Sequence, residues 1–242
     1  MKQFIIVGGP TRSGTNTVSL FLHLHQDVVS FGSAEGLHPM NQLKDFYKEL
    51  ALRKNALQTE GVLQGYDNLR KYLTHKNVEL RNNMVSTLTK DIMVLRFDYG
   101  EAIFPVMLGL LPSGVRLKMI TCLRPLDLVF RSQFLNRHAV LDDEENKARQ
   151  LFKQRIENSF TQLEHLNSKL SESILFVDIT SEDAPEYYMK ILRFLDLQIN
   201  KYQLEWIEKL PITNRTDWEA IGNPQYGGDF EELETMRKEL LI

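Results

Sequence analysis

The 242-residue sequence has one cysteine, two tryptophans, eight prolines and no long apolar run. A single cysteine excludes an internal disulfide, and Cys122 lies in a predicted buried strand, where we expect an inert core thiol. No apolar stretch approaches the about 18 residues that a membrane-spanning helix requires. The net charge of −3 gives no general attraction to nucleic acid or to acidic membranes, so we expect neither partner. The chain begins at its first predicted strand, which leaves no room for a signal peptide and favours a cytoplasmic location.

Apolar runs bounded by turn residues alternate with helical patterns along the chain. This alternation predicts a parallel sheet with helices on both faces. We predict strands at residues 4–7, 28–31, 84–89, 117–123 and 174–178. Helices are predicted at about 15–25, 40–55, 99–111, 126–138, 144–170, 184–195, 201–210 and 230–241. The fold class is therefore α/β, with three α/β/α layers around a central five-stranded parallel sheet in a single domain spanning 1–242.

The first predicted strand leads through a glycine-rich turn into a helix, and residues 4–20 read FIIVGGPTRSGTNTVSL. Such a turn directs several backbone N–H groups at one point, at the positive end of the helix dipole, and so predicts a phosphate site. Gly9 and Gly14 have the spacing of the nucleotide-binding loop G-x-x-x-x-G-K-[ST]. Thr15 stands where that loop requires lysine, and the nearest cation is Arg12. The sequence therefore favours a phosphate ligand other than ATP or GTP.

The run Pro-x-Arg-Ser-Gly-Thr at residues 10–15 resembles the 5′-phosphosulfate-binding loop of sulfotransferases, Pro-Lys/Arg-Ser/x-Gly-Thr-Thr. Here one additional residue, Thr11, separates the proline from the basic residue. The resemblance implies a P-loop NTPase-like fold, 3′-phosphoadenosine 5′-phosphosulfate (PAPS) as donor, adenosine 3′,5′-bisphosphate as product and no required metal. It implies that Arg12 stabilises the leaving phosphate oxygen. It also implies that the 5′-phosphate is bound by Thr11, Arg12, Ser13, Gly14, Thr15, Asn16 and Thr17.

A second segment carries the same resemblance. Arg124 ends the strand predicted at 117–123, Pro125 suits a helix start, and Ser132 follows two helical turns later. An arginine fork and a serine hydroxyl in this arrangement can converge on one phosphate. Sulfotransferases hold the 3′-phosphate of their donor with arginine and serine eight residues apart, although their proline usually follows the arginine by two residues rather than one. Because Arg131 is adjacent, the helix contact falls to either Arg131 or Ser132.

The general base has three candidates. Glu35 and His38 resemble the glutamate and histidine that heparan-type carbohydrate sulfotransferases carry after the second strand, where the glutamate is the base. The gap is one residue longer here and the aromatics are absent. Lys90 follows the strand predicted at 84–89, and the resemblance implies that it contacts the sulfuryl oxygens. Asp91 stands one residue before the position of the histidine base of cytosolic sulfotransferases, which is absent. A carboxylate base is therefore favoured.

Together these segments predict a sulfotransferase that transfers a sulfuryl group from PAPS to a hydroxyl of a carbohydrate or small metabolite. The reaction is expected to be an in-line displacement at the carboxyl edge of the sheet. One alternative is a divergent P-loop kinase, which is disfavoured by the missing lysine and by the lack of an acidic magnesium partner after a later predicted strand. The other alternative is a nucleotide-binding module without turnover. The sequence does not select the acceptor.

Overall fold

The computed structural model describes residues 2–31, 91–111, 113–135, 142–180, 184–208 and 230–242. Five strands form in these ranges: β1 (Gln3–Gly8), β2 (Val28–Phe31), β3 (Ile92–Arg96), β4 (Arg116–Leu123) and β5 (Ile174–Asp178). The α-helices in the same ranges are α1 (Thr15–His23), α2 (Phe104–Leu110), α3 (Leu126–Leu135), α4 (Asp142–Leu170), α5 (Ala184–Phe194), α6 (Lys201–Glu208) and α7 (Glu231–Leu241). Short 3₁₀ turns at Gly100–Ala102 and Ser171–Ser173 precede α2 and β5.

The sheet is parallel throughout, with strand order β2-β3-β1-β4-β5. Strand β1 is central, and its Ile5 stands opposite Val94 of β3 on one side and Lys118 of β4 on the other. All six residues of β1 are buried, as expected for a parallel strand that is covered on both faces. Parallel strands place their carboxyl ends on one edge, so the residues that follow β1, β3, β4 and β5 meet there.

Side chains of β1 alternate between two apolar cores, one on each face of the sheet. Phe4 and Ile6 belong to a core completed by residues of α2, α3, α4 and α7. Ile5 and Val7 belong to the opposite core, to which α1 and α5 contribute and against which residues of α6 pack. Helices therefore cover both faces, which gives the predicted three-layer arrangement.

Most predicted elements within the described ranges form close to their predicted bounds, and β2 and β5 coincide with the predictions. Residues 99–111 are an exception, because a 3₁₀ turn precedes a shorter helix there. Sequence reasoning missed β3, because it assigned the third strand to the neighbouring apolar run at 84–89 rather than to the run at 92–95. The strand predicted at 84–89 and the helix predicted at 40–55 lie outside the described residues.

Two further sequence predictions concern the single cysteine and membrane-spanning segments. Cys122 is fully buried in β4, where burial raises the pKa of its thiol, so its predicted place in the core is confirmed. Within the ranges given above, the structure contains no helix with the length and apolarity needed to cross a membrane.

Candidate functional site

The segment between β1 and α1 forms a tight loop at the carboxyl edge of the sheet. Its turn depends on positive φ angles at Gly9 (131°), Arg12 (73°) and Gly14 (91°). The Ser13 N–H donates to the Pro10 carbonyl at 3.0 Å, which closes the first half of the loop. Successive N–H groups in such a turn form a concave anion-binding surface, and the first-turn amides of α1 extend it. The loop therefore has the backbone shape that the sequence predicts.

Two of the loop glycines have positive φ angles and lie against the ends of neighbouring strands. A Cβ atom on Gly9 would lie 2.2 Å from the Cys122 carbonyl oxygen at the end of β4. A Cβ atom on Gly14 would lie 2.0 Å from Cδ1 of Ile179, which follows β5. The loop is thus seated against the ends of β4 and β5, which limits its movement.

The polar residues of the loop differ in exposure. Ser13 is completely buried, and among the described residues its Oγ has no hydrogen-bond partner. Thr15 is buried in the first turn of α1, whereas Asn16 is exposed and Thr17 is half-buried. The Asn16 Oδ1 accepts a hydrogen bond from Nη1 of Arg96, the last residue of β3. An unpartnered buried hydroxyl is a donor available to a ligand once the loop adjusts around it.

Two arginines stand together at the loop. Arg12 is exposed, and Arg124 is half-buried immediately after β4. The Arg124 Nη1 donates to the Arg12 carbonyl at 3.5 Å, so the strand end and the loop are in contact.

Burial and nearby charges shift the pKa of Arg124. Burial lowers the pKa of its guanidinium. The carboxylates of Asp127 and Asp178 raise that pKa, the nearby positive charge of Arg12 lowers it, and the net shift is downward. Arginine remains protonated despite such a shift. The Arg124 guanidinium therefore contacts the loop backbone at Arg12 and is influenced by the positive charge of Arg12, an arrangement that suits an anionic ligand.

Helix α3 contacts the loop through Gln133, a residue that the sequence predictions did not include. The Gln133 Nε2 donates to the Thr11 carbonyl at 3.0 Å, and its side chain also hydrogen-bonds to Tyr99. Ser132 and Arg131 are half-buried neighbours in the same turns of α3. Arg124 therefore precedes, and Ser132 lies within, a helix that contacts the loop, and the choice between Ser132 and Arg131 stays open.

The end of β3 supplies two further residues that sequence reasoning missed. Asp98 accepts a hydrogen bond from the Thr11 hydroxyl, with Oγ1 to Oδ2 at 3.0 Å. The Tyr99 N–H donates to the Gly9 carbonyl at 2.7 Å, and Tyr99 itself has a positive φ of 58°. Thr11, the additional residue relative to the sulfotransferase pattern, thus joins the loop to both β3 and α3. These residues were missed because β3 was missed.

Asp91 is a correction to the sequence predictions. The sequence predicts that Asp91 follows the third strand, at its carboxyl end. In the structure Asp91 lies directly before β3, at the amino end of that strand. Its carbonyl accepts the N–H groups of Lys2 and Gln3, and its carboxylate pairs with the Lys2 ammonium at 2.7 Å. Asp91 is therefore on the opposite edge of the sheet from the loop and is not a candidate base for this site.

Glu35, His38 and Lys90 lie outside the described residues, and their predicted roles stay predictions. In the described part of the chain there is no group of three or more His, Cys, Asp or Glu side chains placed to hold a metal ion.

Comparisons with known proteins bear on the fold. No protein-family model matches this chain, and no curated protein matches it. The sulfotransferase domain of the olefin synthase from Synechococcus PCC 7002 is 13% identical with a TM-score of 0.56, covering 99% of this chain and 93% of that chain.

Two other solved structures are less similar. A sulfotransferase domain from the curacin biosynthetic pathway is 14% identical with a TM-score of 0.49, covering 84% of this chain and 77% of that chain. A sugar kinase from Janibacter sp. HTCC2649 is 13% identical with a TM-score of 0.43, covering 81% and 96%. The likeness to the olefin synthase domain shows that this chain shares an α/β fold with a sulfotransferase domain.

Proposed function

We propose that this chain is a sulfotransferase that uses PAPS to sulfate a hydroxyl of a carbohydrate or small metabolite. The observation that carries the proposal is the contact between Arg124 and the β1–α1 loop. The loop lacks the lysine of an ATP-binding loop and instead carries Arg12 beside a second, half-buried arginine. Arginine recognises phosphate as a two-pronged fork, and a donor with phosphates at both the 5′ and 3′ positions offers one phosphate to each arginine.

In the proposed complex the loop amides and the Ser13 hydroxyl bind the 5′-phosphate, and Arg124 binds the 3′-phosphate as a fork. PAPS supplies the sulfuryl group. The bond between its sulfur and the 5′-phosphate oxygen breaks while the acceptor oxygen bonds to that sulfur. Arg12 stabilises the negative charge that develops on that phosphate oxygen, and as an always-charged group it does so without donating its proton.

A carboxylate takes the acceptor's proton as the new S–O bond forms. Glu35 remains the carboxylate candidate from the sequence, with His38 as the imidazole alternative, and the structure adds Asp98, which lies next to the loop through its contact with Thr11. A base must reach the proton that it removes, so proximity to the loop is the first requirement. Asp98 meets this requirement among the described carboxylates.

Asp98 also favours a second candidate function, a P-loop kinase. Such an enzyme needs an acidic residue near the loop for its nucleotide-bound magnesium ion, and sequence reasoning had found none after a later strand. Asp98 follows β3, the neighbour of β1, and contacts the loop. The absence of a loop lysine still places this function second.

Calorimetric titration separates the two functions. We expect adenosine 3′,5′-bisphosphate to bind without magnesium, and Arg124→Ala to weaken that binding at least about tenfold through the loss of charge-assisted hydrogen bonds. Arg116→Ala is the matched control, because Arg116 is an exposed arginine at the other end of β4 that pairs with Asp196 at 3.3 Å. The control is expected to bind like the wild type.

Binding of ADP with Mg²⁺ but not of the bisphosphate would reject the sulfotransferase and favour the kinase. Binding of neither nucleotide would contradict both functions. A chain that binds the bisphosphate is then assayed for release of that product from PAPS with a panel of hydroxyl acceptors. Absence of turnover with every acceptor would favour a binding module.

A further inference from the structure

Charged side chains around the buried Arg237 connect the last helix, α7, to the strand ends beside the loop. The side chain of Arg237 in α7 is only 7% exposed. Its Nη1 lies 2.8 Å from Oδ2 of Asp178, the last residue of β5, and its Nε lies 2.6 Å from Oε2 of Glu234. Arg237 therefore joins two carboxylates, one on β5 and one on its own helix.

Glu234 extends this connection to the helix that follows Arg124. Its second oxygen, Oε1, accepts the backbone N–H of Leu126, the first residue of α3. Amides at a helix start have no intrahelical acceptor, and a carboxylate there also interacts favourably with the helix dipole. Leu126 stands two residues after Arg124, with only Pro125 between them. Glu234 thus holds the short turn from which the Arg124 side chain extends.

Asp178 holds the other side of the site. It accepts hydrogen bonds from the Thr180 amide at 2.9 Å and the Thr180 hydroxyl at 2.6 Å. Burial raises its pKa, but the hydrogen bonds from Thr180 and Arg237 outweigh burial and the pKa is lowered. Between Asp178 and Thr180 stands Ile179, whose N–H donates to the Leu123 carbonyl at 3.2 Å and whose side chain packs against Gly14.

From these contacts we infer that Arg237 and Glu234 are positioning residues for Arg124, which fix its guanidinium for the 3′-phosphate of a nucleotide. The inference rests on the proposed function. Arg124 is adjacent to the like charge of Arg12, and repulsion between the two cations opposes their approach when no anion is bound. Glu234 holds the turn between Arg124 and α3, and Arg237 fixes Glu234 in place. The turn therefore resists movement of Arg124 away from Arg12. Buried ion pairs often add little net stability, so a positional role accounts for this one better than stability does.

The test compares two ligands that share the 5′-phosphate but differ at the 3′ position. Dissociation constants of adenosine 3′,5′-bisphosphate and AMP are measured by calorimetry for the wild type, Arg237→Met and Glu234→Gln. We expect both variants to lose at least about tenfold in affinity for the bisphosphate, with the AMP affinity changed less than about twofold. Arg237→Lys keeps the charge without the two-pronged fork and is expected to recover part of the loss. Lys238→Met, the exposed neighbour on α7, is the control.

Equal loss of affinity for both ligands in the variants would mean a merely structural role and would overturn the inference. Unchanged preference for the bisphosphate in Glu234→Gln would overturn it too. Glu234→Gln retains the pair between Arg237 and Asp178, so it decides the question if Arg237→Met does not fold. A wild-type protein that binds both ligands equally would instead overturn the proposed function, and the inference with it.

Discussion

Gly9 is the loop residue whose replacement reports most directly on how the loop is seated. Its φ of 131° suits glycine, and a Cβ atom would meet the Cys122 backbone carbonyl at 2.2 Å. A backbone carbonyl in a strand paired on both sides, such as β4, cannot rotate away as a side chain can. We expect Gly9→Ala to lower the free energy of unfolding by about 3 kcal/mol or more, from backbone strain and overpacking together. Urea unfolding followed by circular dichroism measures this loss.

Gly114→Ala is the matched control for that substitution. Gly114 also has a positive φ, 91°, but no atom lies within 4 Å of its Cβ position. It should lose only the cost of the left-handed conformation, about 1–2 kcal/mol. Equal losses for the two variants would show that the loop moves away from β4 at little cost.

At the residue scale, the sequence predicted the loop side chains but not the residues that support them. The loop glycines, Arg12 and Ser13 were identifiable because a turn between a buried strand and a helix has a local signature. Asp98 and Gln133 contact Thr11 from about 87 and 122 residues away along the chain. No local pattern indicates such a contact, because it exists only once β3 and α3 pack beside β1.

At the scale of elements, α4 shows how a largely charged helix is held to the sheet. Phe152, Ile156, Phe160 and Leu163 recur at helical spacing and are buried in one core. We expect Phe160→Ala to lower the free energy of unfolding by about 3–5 kcal/mol through lost burial and the cavity left behind. Leu151→Ala, at a side chain 47% exposed on the same helix, should lower it by less than about 1 kcal/mol. Urea midpoints at unchanged m-value measure both, and similar losses would contradict the assigned face of α4.

Strand β3 explains why one part of the site was misplaced. Sequence reasoning assigned the third strand to residues 84–89 and so put Asp91 at the site. In the structure β3 begins at Ile92, which places Asp91 at the amino edge and Asp98 at the loop. Two neighbouring apolar runs can each read as a strand, and only pairing with β1 selects one of them for this position.

At the scale of the whole molecule, the single thiol reports on opening of the fold. Cys122 is fully buried in the core that contains α1 and α5, and burial raises the pKa of its thiol. A thiol reagent reacts with the thiolate, so labelling requires the core to open. We expect adenosine 3′,5′-bisphosphate at 100 times its dissociation constant to slow labelling about 100-fold, because ligand binding stabilises the folded state by about 2.7 kcal/mol.

The rate of Cys122 labelling is followed by absorbance with a disulfide reagent, with and without the nucleotide. Protein unfolded in urea is the reference for the fully accessible thiol. A labelling rate unaffected by a nucleotide that calorimetry shows to be bound would mean that β4 opens locally without disturbing the loop.

The sequence by itself determined the α/β class, most of the element bounds and the tight glycine-rich turn between β1 and α1. These properties follow from interactions between residues close together in the chain: alternation of apolar runs, glycine in a tight turn and a helix start. Tertiary structure decided the strand order, the place of Asp98 beside the loop and the connection from Arg237 to the turn after Arg124. Each of these depends on contacts between segments distant in sequence, which form only when apolar burial brings the strands and helices together.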